Sequence, residues 1–284
     1  MIFRLGDAMM VRLPRKASAA EPIGKECQWL PTLAPHLPLP IPVPLAKGEP
    51  GEGYPFHWSI CPWIDGENAT LERLHDPNRA AQTLAAFISK LQKIEVDKTV
   101  TPETLHASRG VPLAARDAAT RAAIATLDGM IDTQAALAVW DHALSAPVWD
   151  RAPVWIHGDL HSGNLLANDD ELSAVIDFGC LTAGDPAGDL IVAWNLFSAE
   201  TRTTFRAAIQ VDDATWARGC GWALSTSVIA LPYYKDSNLT LANISRYAID
   251  QALTEYHAPI ELKSRIDTRF WHRYNADIWE HRSQ

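Results

Sequence analysis

Two short apolar runs, each opening directly onto carboxylates and amides, constrain this chain more than any other feature. Val154-Trp155-Ile156 leads into His157-Gly158-Asp159-Leu160-His161-Ser162-Gly163-Asn164, and Ala174-Val175-Ile176 leads into Asp177-Phe178-Gly179. The apolar runs read as buried strands and the polar residues after them as loops. Asn164 lies five positions beyond Asp159 and Asp177 eighteen beyond it. One loop can then carry the first two residues, and the turn after a following hairpin strand can carry the third.

Moving a phosphoryl group needs a divalent cation held by carboxylate or amide oxygens, and a side chain that accepts the proton of the attacking hydroxyl. Asp159 is the candidate base, and Asn164 and Asp177 are the candidate metal ligands. The residue types and their order match a protein-kinase catalytic loop followed by its D-F-G turn, with Gly158 in place of the arginine. A second reading takes His157, Asp159 and His161 as a zinc set, because alternate residues of a strand or loop can face one ion. His157 can also be a structural brace, and Phe178 a packing residue of its turn. Asp189 is either a solvated helix-start carboxylate or an acceptor of backbone N–H groups that holds the loop.

On His157-Gly158-Asp159-Leu160-His161-Ser162-Gly163-Asn164 and Ile176-Asp177-Phe178-Gly179 together, the chain resembles the aminoglycoside and macrolide phosphotransferase family. The resemblance includes Gly184-Asp185-Pro186-Ala187-Gly188-Asp189-Leu190, similar to that family's turn after the metal-binding aspartate, and extends more weakly from Ile2 to about Tyr256. It implies an α+β, two-lobed, protein-kinase-like fold. A small antiparallel-sheet amino-terminal lobe would occupy residues 1–63 and a larger, mainly helical lobe 64–258, leaving a charged, Trp-containing tail at 259–284 without a family counterpart.

The resemblance also implies the chemistry. The γ-phosphoryl of ATP or GTP would pass, with Mg²⁺, to a hydroxyl of a small molecule. Asp159 would be the base, Asn164 and Asp177 the metal ligands, and His161 would stand where protein kinases place a phosphate-facing lysine. Arg12 falls where the family has a cation gripping the nucleotide phosphates. Glu26, in the helical segment Pro22 to Leu33, is its expected partner, with Glu21 as second choice. Arginine keeps the charge of the usual lysine but presents a wide planar fork. Cys61 and Trp63 end a strand and hinge over Phe56 to Trp63 that would hold the base; their alternative reading is core packing.

Kinase-like lobes carry a first strand and a glycine-rich loop ahead of that cation, and no G-x-G-x-x-G precedes Arg12. The sequence as it stands is therefore expected to begin at the second strand of the lobe. The alternative function is a catalytically impaired, kinase-like binding protein that lacks the phosphate loop.

Composition narrows the partners. At 284 residues, 47% hydrophobic and 21% charged, the chain is long enough for two cores. Its net charge of −9 argues against nucleic acid and suits a cationic acceptor. The four cysteines, at 27, 61, 180 and 220, form no C-x-x-C pair, so neither a disulfide framework nor a zinc knuckle is expected. Arg4, Asp7, Arg12, Arg15 and Lys16 exclude a signal peptide from the first sixteen residues. Six prolines between Cys27 and Ala46 exclude a spanning helix from the longest uncharged stretch. A cytoplasmic protein without a membrane partner is expected.

Local patterns predict the elements. Ile2 to Leu5 and Met9 to Leu13 form a hairpin around Gly6-Asp7. Pro38 to Leu45 is extended, and Gly48, Gly51 and Gly53 mark a turn between strands. Asp76-Pro77 starts a helix whose packing face is Leu84, Phe87, Ile88 and Leu91. Ala114 to Leu144 makes two helices broken near Gly129, and Ile191 to Phe197, Thr215 to Ala230 and Leu241 to Tyr256 make further helices. Trp194, Asn195, Trp222, Tyr233 and Tyr234 are candidate acceptor contacts, although aromatics at helical spacing usually pack in the core.

Overall fold

The computed structural model describes residues 1–97, 100 and 108–257. The expected tail, 259–284 with Trp271 and Trp279, lies outside the described residues. Among the described residues no helix is long and apolar enough to cross a membrane.

The amino-terminal portion is a four-stranded antiparallel sheet in the order β1-β2-β4-β3. Strands β1 (Ile2–Leu5) and β2 (Met9–Arg12) form the expected hairpin, with Gly6 at φ +61° in the connecting turn. A left-handed backbone at that point is open to glycine at no steric cost. Strands β3 (Ala46–Gly48) and β4 (Trp58–Pro62) flank the predicted glycine turn, and Arg12 stands opposite Ser59 in the register.

Helix α1 (Ala17–Leu33) packs against β3 and β4 of this sheet and buries Ile23, Glu26, Leu30 and Leu33. It begins five residues before the predicted start at Pro22. Ala17 to Glu21 are helix-compatible, and a proline at the second turn removes only one early backbone bond.

The larger portion is mainly helical around two small sheets. Strands β5 (Glu67–Asn68), β7 (Leu165–Asn168) and β8 (Glu171–Val175) form one, in the order β5-β7-β8. Strands β6 (Val154–Ile156) and β9 (Thr182–Gly184) form the other. Helix α2 (Pro77–Lys93) starts as predicted, with the Asp76 carboxylate accepting the Arg79 N–H at 3.0 Å, and it buries Leu84, Phe87, Ile88 and Leu91. Helices α3 (Asp117–Thr126) and α4 (Thr133–Ser145) are separated near Gly129.

After a 3-10 turn at Pro186–Ile191 come α5 (Val192–Asn195), α6 (Ala199–Ile209), α7 (Asp213–Tyr234) and α8 (Leu239–His257). The α6 helix has no counterpart among the predicted elements. Its sequence is threonine-rich, and its buried face includes Thr201 and Arg202 beside Phe205 and Ile209, so no apolar stripe announces it. The core of this portion is aromatic: Trp140, Trp155, Trp194, Trp222, Phe87, Phe178, Phe197 and Phe205 are all fully buried.

One close crossing positions the site. A Cβ on Gly184 would stand 2.2 Å from the Gly110 carbonyl oxygen, which accepts the Asp185 N–H at 3.1 Å. Only glycine lets β9 run this close to the segment at 108–112, and that contact carries Arg109 over the loop after β6.

Candidate active site

The loop that follows β6 is locked from below. Asp189, fully buried in the 3-10 turn, accepts the Gly158 N–H at 2.7 Å and the His157 N–H at 2.9 Å, so the loop-holding role is the one realised. Burial pushes its carboxyl up to about 7, opposed by these two N–H bonds. Gly158 has φ +81°, and a Cβ there would lie 2.7 Å from the Cys180 carbonyl and 3.0 Å from Arg109 Cγ. The position has no room for a side chain.

His157 is the brace of this loop. Its ring is buried, its Nε2 donates to the Ile176 carbonyl at 3.0 Å, and its Nδ1 accepts the Asp159 N–H at 3.2 Å. Burial lowers its pKa and keeps the ring neutral. Phe178 packs edge-on against it, with ring centroids 4.6 Å apart. Both nitrogens are engaged, and among the described residues no three His, Cys, Asp or Glu side chains converge on a metal position. The zinc reading fails for that reason.

Asp159 emerges from this braced loop with a third of its side chain exposed. Asn164 Nδ2 donates to the Asp159 carbonyl at 2.9 Å and lies 3.4 Å from Oδ2, while His161 Nε2 stands 3.7 Å from the same Oδ2. Arg109 Nη2 lies 3.4 Å from Oδ1, and Arg109 Nε donates to the Gly158 carbonyl at 2.8 Å. Burial alone would raise the Asp159 carboxyl, but His161 and Arg109 hold it well below the ordinary carboxylate range.

Asp177 adopts a left-handed conformation, φ 60° and ψ 71°, and its Oδ1 accepts the Gly179 N–H at 3.3 Å. The side chain is 56% exposed. The Ile176 N–H donates to the Asn164 carbonyl at 2.9 Å, which brings the Asp177 turn alongside the loop. With its amide nitrogen turned to Asp159, Asn164 keeps Oδ1 as the atom able to hold a cation. A carboxylate and an amide oxygen are hard donors and fit Mg²⁺ better than a soft metal.

From the sheet, Arg12 faces this turn. Its Nη1 pairs with Glu26 Oε2, the predicted partner rather than Glu21, and its Nη2 lies 3.9 Å from Asp177 Oδ1. Cys61 is fully buried, with Sγ 3.7 Å from Ser59 Oγ. Trp63 donates its indole N–H to Asp65 at 2.9 Å and lies 4.3 Å beneath the Arg4 guanidinium, while its backbone N–H goes to the Ala8 carbonyl.

Three further residues touch the site, two of them, Arg109 and Lys25, without a sequence signal that marked them. Arg109 reaches Asp159, Lys25 on α1 donates to the Gly179 carbonyl at 2.8 Å, and Asn195 donates to the Leu160 carbonyl at 2.8 Å. Asn195 was among the acceptor candidates, but its amide nitrogen supports the loop. Trp194 and Trp222 are buried in the core, whereas Tyr233 is 73% exposed.

A braced aspartate, two oxygen donors near it and a cation facing them from a small sheet fit a kinase-like phosphotransferase. The model of the phosphotransferase enzyme family matches residues 2–222, and the chain belongs to that family. No curated protein matches it.

Among solved structures, the GDP and kanamycin complex of the aminoglycoside phosphotransferase APH(2")-IIIa is 18% identical, covers 90% of this chain and 93% of its own, and has a TM-score of 0.68. The streptomycin–ATP complex of APH(2")-IIa is 20% identical, covering 86% and 88%, with a TM-score of 0.59. The macrolide 2'-phosphotransferase MphH from Brachybacterium faecium is 20% identical, covering 88% and 84%, with a TM-score of 0.56. At these identities the likeness establishes the protein-kinase-like fold.

Proposed function

We propose that this phosphotransferase moves the γ-phosphoryl group of ATP or GTP to a hydroxyl of a small molecule. Residues 1–63 serve as the nucleotide lobe and 64–258 as the catalytic and acceptor lobe. Asp159 is the base, Asn164 and Asp177 are the ligands of Mg²⁺, and Arg12, ordered by Glu26, contacts the nucleotide phosphates. His161 stands on the phosphate side of Asp159, and Cys61 and Trp63 belong to the edge of the base pocket. Two of the solved structures described above hold GDP or ATP, which supports a purine nucleoside triphosphate as donor. Such donors are available in the cytoplasm.

Mg²⁺, when bound, supplies charge neutralisation across the phosphates. The chain's own residues do the rest. Asp159 orients the acceptor hydroxyl and takes its proton, a contribution worth about 10²–10⁴-fold in rate. His161 and Arg109 keep Asp159 ionised, so its carboxylate can accept a hydrogen bond from the acceptor hydroxyl. Asp189 and His157 keep the loop from relaxing, so Asp159 is oriented before the acceptor arrives.

The observation that carries this reading is the convergence of Asp159, Asn164 and the Asp177 turn on one loop braced from beneath by Asp189. Calorimetric titration of MgATP and MgGTP into the wild type and Asp177→Ala tests it. Metal-dependent binding that Asp177→Ala abolishes is expected. No binding of either nucleotide would leave the kinase-like binding protein as the better description.

A further inference from the structure

Three arginines packed into this protein are paired with carboxylates, and one beside the active site is not. Arg12 pairs with Glu26, Arg202 with Glu255 at 2.9 Å, and Arg218 with Asp185 at 2.6 Å. Arg116 has no carboxylate within 4 Å among the described residues; its Nε donates to Ser225 Oγ at 2.9 Å, and Ser225 in turn shares a 2.7 Å hydrogen bond with Thr120. Arg109, 17% exposed, has only the 3.4 Å approach of Nη2 to Asp159, a carboxylate that His161 and Asn164 also engage.

The two guanidinium groups flank one indole. Arg109 Cζ lies 6.0 Å and Arg116 Cζ 4.9 Å from the Trp222 ring centroid. Trp222 is fully buried, and its Nε1 donor has no hydrogen-bond partner. Burial and the charge of Arg109 push the Arg116 guanidinium down to about 10.

Two partly desolvated cations, one of them without a carboxylate, and an unsatisfied indole N–H leave this corner short of acceptors, and leaving such groups uncompensated is costly. An incoming oxyanion would compensate the two guanidinium groups. The guanidinium fork matches carboxylate and phosphate oxygens by shape as well as charge. A polycation entering beside Asp159 would instead meet two like charges.

We propose that Arg109 and Arg116, with the Trp222 indole between them, form an acceptor subsite for an oxyanion, so that the alcohol phosphorylated at Asp159 carries a carboxylate or a phosphate. This rests on Asp159 being the base of the proposed phosphotransferase. It departs from the cationic acceptor that the overall charge of −9 suggests, because the whole-chain charge does not describe the ground around Asp159.

The test titrates glucuronate, glucose 6-phosphate, glucose and glucosamine at constant ionic strength into the full chain preloaded with MgADP. The loading step reports separately whether the nucleotide site exists, so a failed phosphotransferase reading is distinguishable from a failed subsite. At least one anionic sugar binds about tenfold or more tightly than glucose, and glucosamine binds more weakly than glucose. The tighter of the two anions tells carboxylate from phosphate. Arg116→Leu removes the preference and Arg116→Lys retains part of it, with the melting temperature reporting an intact fold. Equal affinities, tightest binding by glucosamine, no binding of either anion, or an undiminished preference in Arg116→Leu each overturn the subsite.

Discussion

Lys25 donates to the Gly179 carbonyl at 2.8 Å, tying helix α1 to the turn that carries Asp177. The contact joins residues 154 positions apart and links the sheet-bearing portion of the chain to the Asp177 turn. A charged donor on a carbonyl contributes about 1.5–3 kcal/mol when partly buried. Lys25→Met is expected to lower unfolding stability toward the bottom of that range and to weaken MgATP binding several-fold. Denaturant unfolding and calorimetry on the same preparation check it, and unchanged values in both would contradict a tie between the two portions.

The pair behind that contact is more demanding. Glu26 is buried and Arg12 is its partner, with Asp177 next in line. Arg12→Met leaves a buried carboxylate without its cation and is expected to cost about 3–5 kcal/mol. The double change Arg12→Met with Glu26→Met should recover a large part of that loss while leaving nucleotide binding absent. Additive losses in a double-mutant cycle would show that the two side chains do not act as a pair.

The two aspartates of the loop and turn should separate kinetically. Asp159→Asn is expected to lower kcat by about 10²–10⁴-fold with nucleotide affinity retained, because the proton acceptor alone is lost. Asp177→Ala should lose MgATP affinity and turnover together, and more completely. Steady-state rates beside calorimetric affinities distinguish them, and near-wild-type rates in both variants would remove the assignment.

Asp189 predicts a pH dependence of stability with a definite sign. Its folded carboxyl is raised to about 7 by burial, above an unfolded value of about 4. The folded state therefore binds more proton across that window, so this group's contribution is full at low pH and is lost as pH rises from about 4 to about 7. Relative to Asp189→Asn, the wild type should lose up to about 1.4 kcal/mol per pH unit there. Parallel denaturation curves at several pH values check it; coincident pH slopes for the two proteins would refute it.

Much of this protein was legible locally. The Gly6-Asp7 hairpin, the Asp76 cap with Pro77 behind it, the break near Gly129 and the buried face of α2 each depend on residues within a few positions of one another. Asp159, Asn164 and Asp177 could be found because one loop and the next hairpin carry all three. The α6 helix escaped because part of its buried face is polar, satisfied by contacts such as Arg202 with Glu255.

The chain order of residue types pointed to the kind of chemistry, since Asp159, Asn164 and Asp177 at these intervals fall on adjacent loops in any hairpin that buries its apolar runs. Tertiary structure alone decided the electrostatics around them. Arg109 reaches Asp159 across 50 positions, Lys25 reaches Gly179 across 154, and Arg116 shares Trp222 with Arg109 through the packing of α7. Charge acts through distance in space rather than along the chain, so a sequence that totals −9 can still place two guanidinium groups in the neighbourhood of Asp159.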